Sequence, residues 1–214
     1  MDQPVLDISL FVDNIVFRYS NLAALINYSA TFAVTFLLSI YLQYIKGFTP
    51  EHAGLILVTQ PIMQIIFSPL AGSLSDKAEP RVVASAGMAA TAAGLVLLAF
   101  LGPNTALVFI VITLVVLGIG FGFFSSPNMN AVMSSVEKRF YGVASGTVGT
   151  MRLTGQMLSM GVAMLLFALY LGRVQITPEY YPIFLKCMKK AFVIFAALCF
   201  LGIIASIARG KTHS

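Results

Sequence analysis

Residues 105–127 read TALVFIVITLVVLGIGFGFFSSP, without one charged side chain. A helix that crosses the hydrocarbon core of a bilayer needs about 20 consecutive, mostly apolar residues, and this stretch is long enough. Because lipid offers no hydrogen-bond partners, the backbone of such a segment must satisfy its own polar groups, as an α-helix does. The stretch therefore predicts a membrane-spanning helix.

Five further apolar runs lie before and after this one in the sequence, separated by charged turns or by turns that contain Pro and Gly. The whole chain of 214 residues is 58% hydrophobic and only 10% charged, whereas a soluble domain has about 25% charged residues. We therefore predict an all-α, polytopic membrane protein with one transmembrane domain of six helices over residues 22–208. The six predicted spans are 22–45, 53–74, 82–101, 105–127, 142–171 and 187–208.

Residues 1–21 precede the first span, and residues 209–214 form a short basic tail. Ile8, Val12, Ile15 and Tyr19 recur at helical spacing in the lead-in. This spacing is typical of an amphipathic helix lying in the membrane interface. It fits equally a first turn that leads directly into the first span.

An even number of spans places both termini on one side of the membrane. The strongly charged loops at 75–81 and 137–139 would then share that side, and basic loops favour the cytoplasm. The lysines within 186–190 argue for the opposite orientation. On balance we expect a multi-pass protein of the cell membrane, with both termini in the cytoplasm.

Polar residues within the apolar runs indicate faces that do not meet lipid, because polar groups are costly there. They repeat at helical spacing in the first, second, fourth and fifth spans, whereas the third and sixth spans are nearly free of them. We therefore expect the third and sixth spans to lie outermost. Glycine pairs at 118/122 and 142/146 are typical of close helix packing. The candidates for a substrate cavity, or for a face between two halves, are Asn27, Thr31, Gln60, Gln64, Asn128, Arg152 and Gln156.

Arg152 is the one cation deep within an apolar run. One interpretation is a functional cation facing a polar cavity. The other is a side chain that snorkels to the interface, since the fifth run is longer than one bilayer crossing needs. All eight carboxylates lie outside the six predicted spans. A proton-coupled carrier would therefore need an intramembrane titratable group from another polypeptide.

The residue types argue against catalysis and against cofactors. The predicted spans contain no His, Asp or Glu, and no Ser or Cys has a base beside it. Cys187 and Cys199 would be roughly 18 Å apart along one helix, too far for a disulfide, so we interpret them as buried apolar side chains. We expect no enzyme activity, cofactor, metal or nucleic-acid partner.

The turn Gly72-Ser73-Leu74-Ser75-Asp76-Lys77-Ala78-Glu79-Pro80-Arg81 resembles the loop signature of the major facilitator superfamily, Gly-x-Leu-Ala-Asp-Arg-x-Gly-Arg-Arg. Glu79 and Pro80 depart from that pattern. The resemblance is to the weaker second copy of the signature, in the C-terminal half of such proteins. It implies that Gly72, Asp76, Lys77 and Arg81 form a cytoplasmic gating turn.

Other stretches resemble the C-terminal part of fourteen-span drug:proton antiporters. They are 10–17, 41–54 and 142–155, the last containing Gly142-Val143-Ala144-Ser145-Gly146. The resemblance implies a six-helix half that acts in efflux of drugs or small molecules by alternating access. It further implies a second six-helix half, identical or different, as partner. The alternative is a non-transporting membrane module or a fragment with a scaffold role.

Overall fold

The computed structural model describes residues 9–172 and 176–208, and Ile8 and the predicted tail 209–214 lie outside them. Six helices of the described chain are long and apolar enough to cross a membrane. The prediction of an all-α, six-span bundle is confirmed. The elements are α1 Ser9–Val12, α2 Ile15–Ile40, α3 Pro50–Leu57, α4 Thr59–Lys77, α5 Pro80–Leu98, α6 Leu107–Ser134, α7 Tyr141–Tyr170 and α8 Tyr181–Ala208.

The first spanning helix starts at Ile15, seven residues before the predicted boundary at 22. Asn14 explains the difference, because its side chain accepts a 2.9 Å hydrogen bond from the Phe17 N–H and caps the helix. The same amide donates to the Ser135 carbonyl at 2.5 Å and so ties the start of α2 to the end of α6. Most of the described lead-in is therefore part of the first span.

The second span consists of α3 and α4, which meet at Val58. Thr49 caps α3, and Pro50 occupies its first turn, where proline is favoured. At the other end, α4 continues through Lys77, so Asp76 lies in its last helical turn. The predicted turn 75–81 is thus much shorter than expected, because Pro80 already begins α5.

Of the two glycine pairs, one packs and the other does not. A Cβ atom on Gly118 would collide with the Gln60 carbonyl oxygen, and one on Gly122 would lie 3.1 Å from the Gln64 carbonyl oxygen. These two glycines therefore let α6 pack closely on α4. At Gly142 and Gly146 nothing lies within 4 Å of such an atom. The packing prediction is wrong for that pair within the described residues, because neither glycine makes a close helix contact there.

The expectation that the third and sixth spans lie outermost does not hold for the chain alone. The third span, α5, packs on both α6 and α8 and buries eleven residues, whereas α3 and α4 together bury only Ala53, Ala71 and Ser75. The polar residues of α4 and α7 predicted that these helices face away from lipid. In the structure of the single chain, the two helices form the broad exposed face of the bundle.

Candidate functional site

A groove of about 730 Å³ opens on the face formed by α2, α4 and α7. Five of the seven predicted cavity residues line it, and they come from three different helices. The predicted residues in its wall are Thr31, Gln60, Gln64, Arg152 and Gln156. The remaining wall consists of Tyr28, Phe32, Thr35, Phe36, Ser39, Leu57, Phe121 and Met160.

Helical spacing explains why these polar side chains face one cavity. Gln60 and Gln64 are four residues apart on α4, and Arg152 and Gln156 are four apart on α7. Side chains at this spacing lie one above the other on the same helix face. Each helix therefore presents its pair of polar residues to the same groove.

The contact between α2 and α7 sets one wall of the groove. Gly155 permits it, because a Cβ atom there would lie 2.6 Å from the Leu25 carbonyl oxygen and 2.9 Å from Tyr28 Cβ. One turn further along α7, Ser159 Oγ accepts a 2.9 Å hydrogen bond from the Ala33 N–H. These contacts fix Arg152, one turn before Gly155, against α2.

Arg152 interacts with Tyr28, which is not among the seven predicted cavity residues. The two side chains line the same groove, where the positive guanidinium interacts electrostatically with the phenol hydroxyl. The Tyr28 ring is held in turn by edge-to-face contact with Phe121, with ring centroids 5.4 Å apart. The signal for Tyr28 was its position one turn before Thr31 on the polar face of α2.

Asn128 lies outside this groove and lines a smaller neighbouring cavity of about 360 Å³. Tyr28, Gln64 and Arg152 belong to the walls of both cavities, so the two are adjacent at that point. The Asn128 amide is buried and donates a 3.2 Å hydrogen bond to the Ser20 carbonyl. It therefore also ties α6 to α2.

Asn27 lies outside both cavities, contrary to the prediction. It is fully buried in α2, and neither its amide nitrogen nor its amide oxygen has a hydrogen-bond partner among the described residues. A one-residue step turns an α-helix by about 100°, so Asn27 and the adjacent groove residue Tyr28 face different directions. Asn27 points to the bundle interior instead.

The four predicted gating residues lie around the junction of α4 and α5. Gly72 faces Ser126 of α6, at 2.9 Å from its Oγ to a Cβ built on the glycine. Asp76 and Lys77 are exposed on the last turn of α4, and Arg81 is half-buried at the start of α5.

The Asp76 side chain forms no ion pair within the described ranges. Arg139 instead pairs with Glu137, at 3.0 Å between Nε and Oε2. Both side chains of that pair are largely exposed, so it contributes little to stability.

Cys187 and Cys199 are both buried and free, as the sequence predicts. Within residues 9–172 and 176–208 there is no group of three or more His, Cys, Asp or Glu side chains that could hold a metal ion. The polar groove is thus the most developed candidate site in the described part of the chain.

The family model and the individual relatives that match this chain point to the same protein family. The family model of the Major Facilitator Superfamily matches residues 21–213. The riboflavin transporter RibZ of Clostridioides difficile is 29% identical over 206 residues, which cover 96% of this chain and 45% of that protein. Multidrug resistance protein 3 of Bacillus subtilis is 28% identical over 162 residues, or 75% of this chain and 31% of that protein. A tetracycline resistance determinant of Streptomyces rimosus is 29% identical over 140 residues, or 64% of this chain and 40% of that protein. The chain spans less than half the length of each of these relatives.

Proposed function

This chain belongs to the major facilitator superfamily, and from that premise we propose that it forms one six-helix half of a secondary transporter. The second half, either another copy of this chain or a different six-helix bundle, covers the open face of α4 and α7. The two halves then enclose the groove and expose it alternately to each side of the membrane. Both termini lie in the cytoplasm of a cell whose plasma membrane contains the protein.

The observation that supports this proposal most is the groove on an otherwise apolar, exposed face. Ile62, Ile65 and Leu70 of α4 and Leu153 and Met157 of α7 are exposed around it. Amides and a guanidinium are expensive to place against lipid. A second bundle on this face would enclose the polar groove and bury the apolar rim at the same time.

Efflux of small molecules is the transport activity that we favour. Two of the relatives have names that refer to drug or tetracycline resistance, and a third is named as a riboflavin transporter. All three are transporters or resistance proteins by name, which favours transport over catalysis. The groove volume of about 730 Å³ falls within the range usual for small-molecule sites.

Uptake into everted membrane vesicles tests the proposal, with radiolabelled tetracycline and riboflavin as probes. We expect time-dependent accumulation of at least one of them by the wild type. A double variant, Gln60→Leu with Gln64→Leu, should lower the initial rate about tenfold or more, because each 1.4 kcal/mol of lost interaction is a factor of ten. Ile204→Leu, on the exposed apolar face of α8, is the matched control and should leave the rate unchanged.

The second candidate function is a membrane module that does not transport. The placement of every carboxylate outside the predicted spans favours it, since a proton-coupled half would need that group from elsewhere. Wild-type vesicles that are indistinguishable from empty ones for both probes, with the protein folded and present, would favour this module over the transporter half.

A further inference from the structure

The groove has one ionised side chain in its wall, and that side chain is positive. Its lining contains seven neutral polar side chains and five apolar ones beside Arg152, and no Asp or Glu. The groove therefore has a net positive charge next to neutral hydrogen-bonding groups. A charge in a medium of low dielectric constant is stabilised chiefly by a counter-charge.

Within the described ranges, no carboxylate supplies that counter-charge. The Tyr28 hydroxyl, which lines the groove beside Arg152, is neutral. Arg152 is nevertheless exposed rather than buried by this contact. Its guanidinium thus keeps donors free toward the groove.

The position of Arg152 is fixed by its surroundings rather than left to a flexible side chain. Gly155 holds its helix against α2, and the Tyr28 ring beside it is packed on Phe121. On the opposite helix, Gln64 shares both cavity walls with Arg152 and Tyr28. Three hydrogen-bonding side chains from three helices thus surround one point of the groove.

From these observations we infer that the groove selects anionic solutes, with Arg152 as the group that binds the solute's carboxylate or other oxyanion. The planar guanidinium donates two parallel hydrogen bonds to such a group. Tyr28 positions the guanidinium, and Gln64 provides a further amide donor from across the groove. This inference rests on the proposed function, since it specifies the substrate class of the same groove.

Two dyes with the same xanthene framework and opposite charge test the inference. Fluorescein is anionic and rhodamine 123 is cationic, and their binding to the purified full chain in nanodiscs is followed by fluorescence anisotropy. We expect the Kd of fluorescein to be at least about tenfold lower than that of rhodamine 123. Arg152→Gln should raise the fluorescein Kd about tenfold or more, the size expected for loss of a charge-assisted hydrogen bond.

Two further variants separate the effect of the Arg152 guanidinium from the effect of net charge. Arg152→Lys keeps the charge but loses the planar guanidinium with its two parallel donors. Its fluorescein Kd should therefore lie between those of the wild type and Arg152→Gln. Lys189→Gln removes an equal charge from α8, outside the groove, and should leave both dye affinities unchanged. An equal effect of Lys189→Gln and Arg152→Gln would overturn the inference, because net charge alone would then explain it.

Other outcomes would also overturn it. These are no binding of fluorescein, equal affinity of the wild type for both dyes, or an Arg152→Gln chain that binds fluorescein as the wild type does. A fourth is loss of dimer in Arg152→Gln with unchanged fluorescein affinity, which would assign the arginine to an ion pair with the second half. Binding of rhodamine 123 alone would contradict the anionic substrate class while leaving the proposed transport intact. Absence of transport in the vesicle assay would instead count against the proposed function itself.

Discussion

The backbone N–H of Ala33 donates a 2.9 Å hydrogen bond to Ser159 Oγ, and this bond joins α2 to α7 within the bundle. Ser159 is fully buried, and so is Ala33. Because these two helices form one wall of the groove, the bond links the stability of the fold to the geometry of the site.

Replacing this hydroxyl should weaken the bundle. We expect Ser159→Ala to lower the free energy of unfolding by about 1 kcal/mol, the usual size of an interhelical hydrogen bond within membranes. Ser145→Ala, at an exposed position of the same helix, is the control and should change it by less than about 0.5 kcal/mol. Unfolding by titration with sodium dodecyl sulfate measures both. Equal effects of the two substitutions would show that the Ser159 bond does not support the fold.

The two glycine pairs provide a matched test of helix packing. Gly118→Ala should destabilise the fold by about 1–3 kcal/mol, because the new methyl group overlaps the Gln60 carbonyl and forces α4 away from α6. Gly146→Ala meets nothing within 4 Å. It should stabilise α7 by up to about 1 kcal/mol through helix propensity. Thermal unfolding in detergent compares the two, and a Gly118→Ala chain as stable as the wild type would contradict the close contact.

Two buried asparagines should respond in opposite directions to the same substitution. Asn27 has no hydrogen-bond partner among the described residues, so Asn27→Leu should raise the free energy of unfolding by about 1 kcal/mol. Asn128 donates to the Ser20 carbonyl, so Asn128→Leu should lower it by about 1 kcal/mol or more. The same detergent titration measures the free energy of unfolding of both variants. Destabilisation by Asn27→Leu would mean that its amide has a partner in the assembled protein.

Asp76 should matter for transport more than for folding. It is exposed in the last turn of α4, where a negative charge faces the negative end of the helix dipole. Asp76→Asn should therefore leave stability unchanged or raise it by less than about 1 kcal/mol. If the α4–α5 turn is a gate, the same change should slow transport severalfold. Glu137→Gln, at another exposed acid, is the control, and an unchanged Asp76→Asn rate would reject the gating role.

Hydropathy predicted the number and order of the helices, because apolar length alone determines which segments can cross a bilayer. It predicted the first boundary poorly, since Asn14 is a capping residue that looks like any polar lead-in residue. Five groove residues followed from polar spacing on single helices. Tyr28 was missed because its amphipathic ring is equally typical of a core or interfacial residue.

The expected order of outer and inner spans does not hold for the chain alone, and the reason is different. A face that meets lipid and a face that meets a second bundle are both exposed in one half, and they differ only in polarity. The scarcity of polar residues in α5 correctly indicated that its exposed face is apolar, as at Val82 and Val96. It did not reveal that the opposite face is buried between α6 and α8, because that burial depends on tertiary packing.

In the proposed assembly, this chain is one half of a two-half transporter. The most direct measurement is the mass of the particle isolated from its own host through a tag on this chain, in mild detergent, with the detergent contribution subtracted. We expect a protein mass of about twice the 23.0 kDa of one chain, formed by a second copy or by a different six-helix half. A particle of 23.0 kDa that still transports after reconstitution would contradict it.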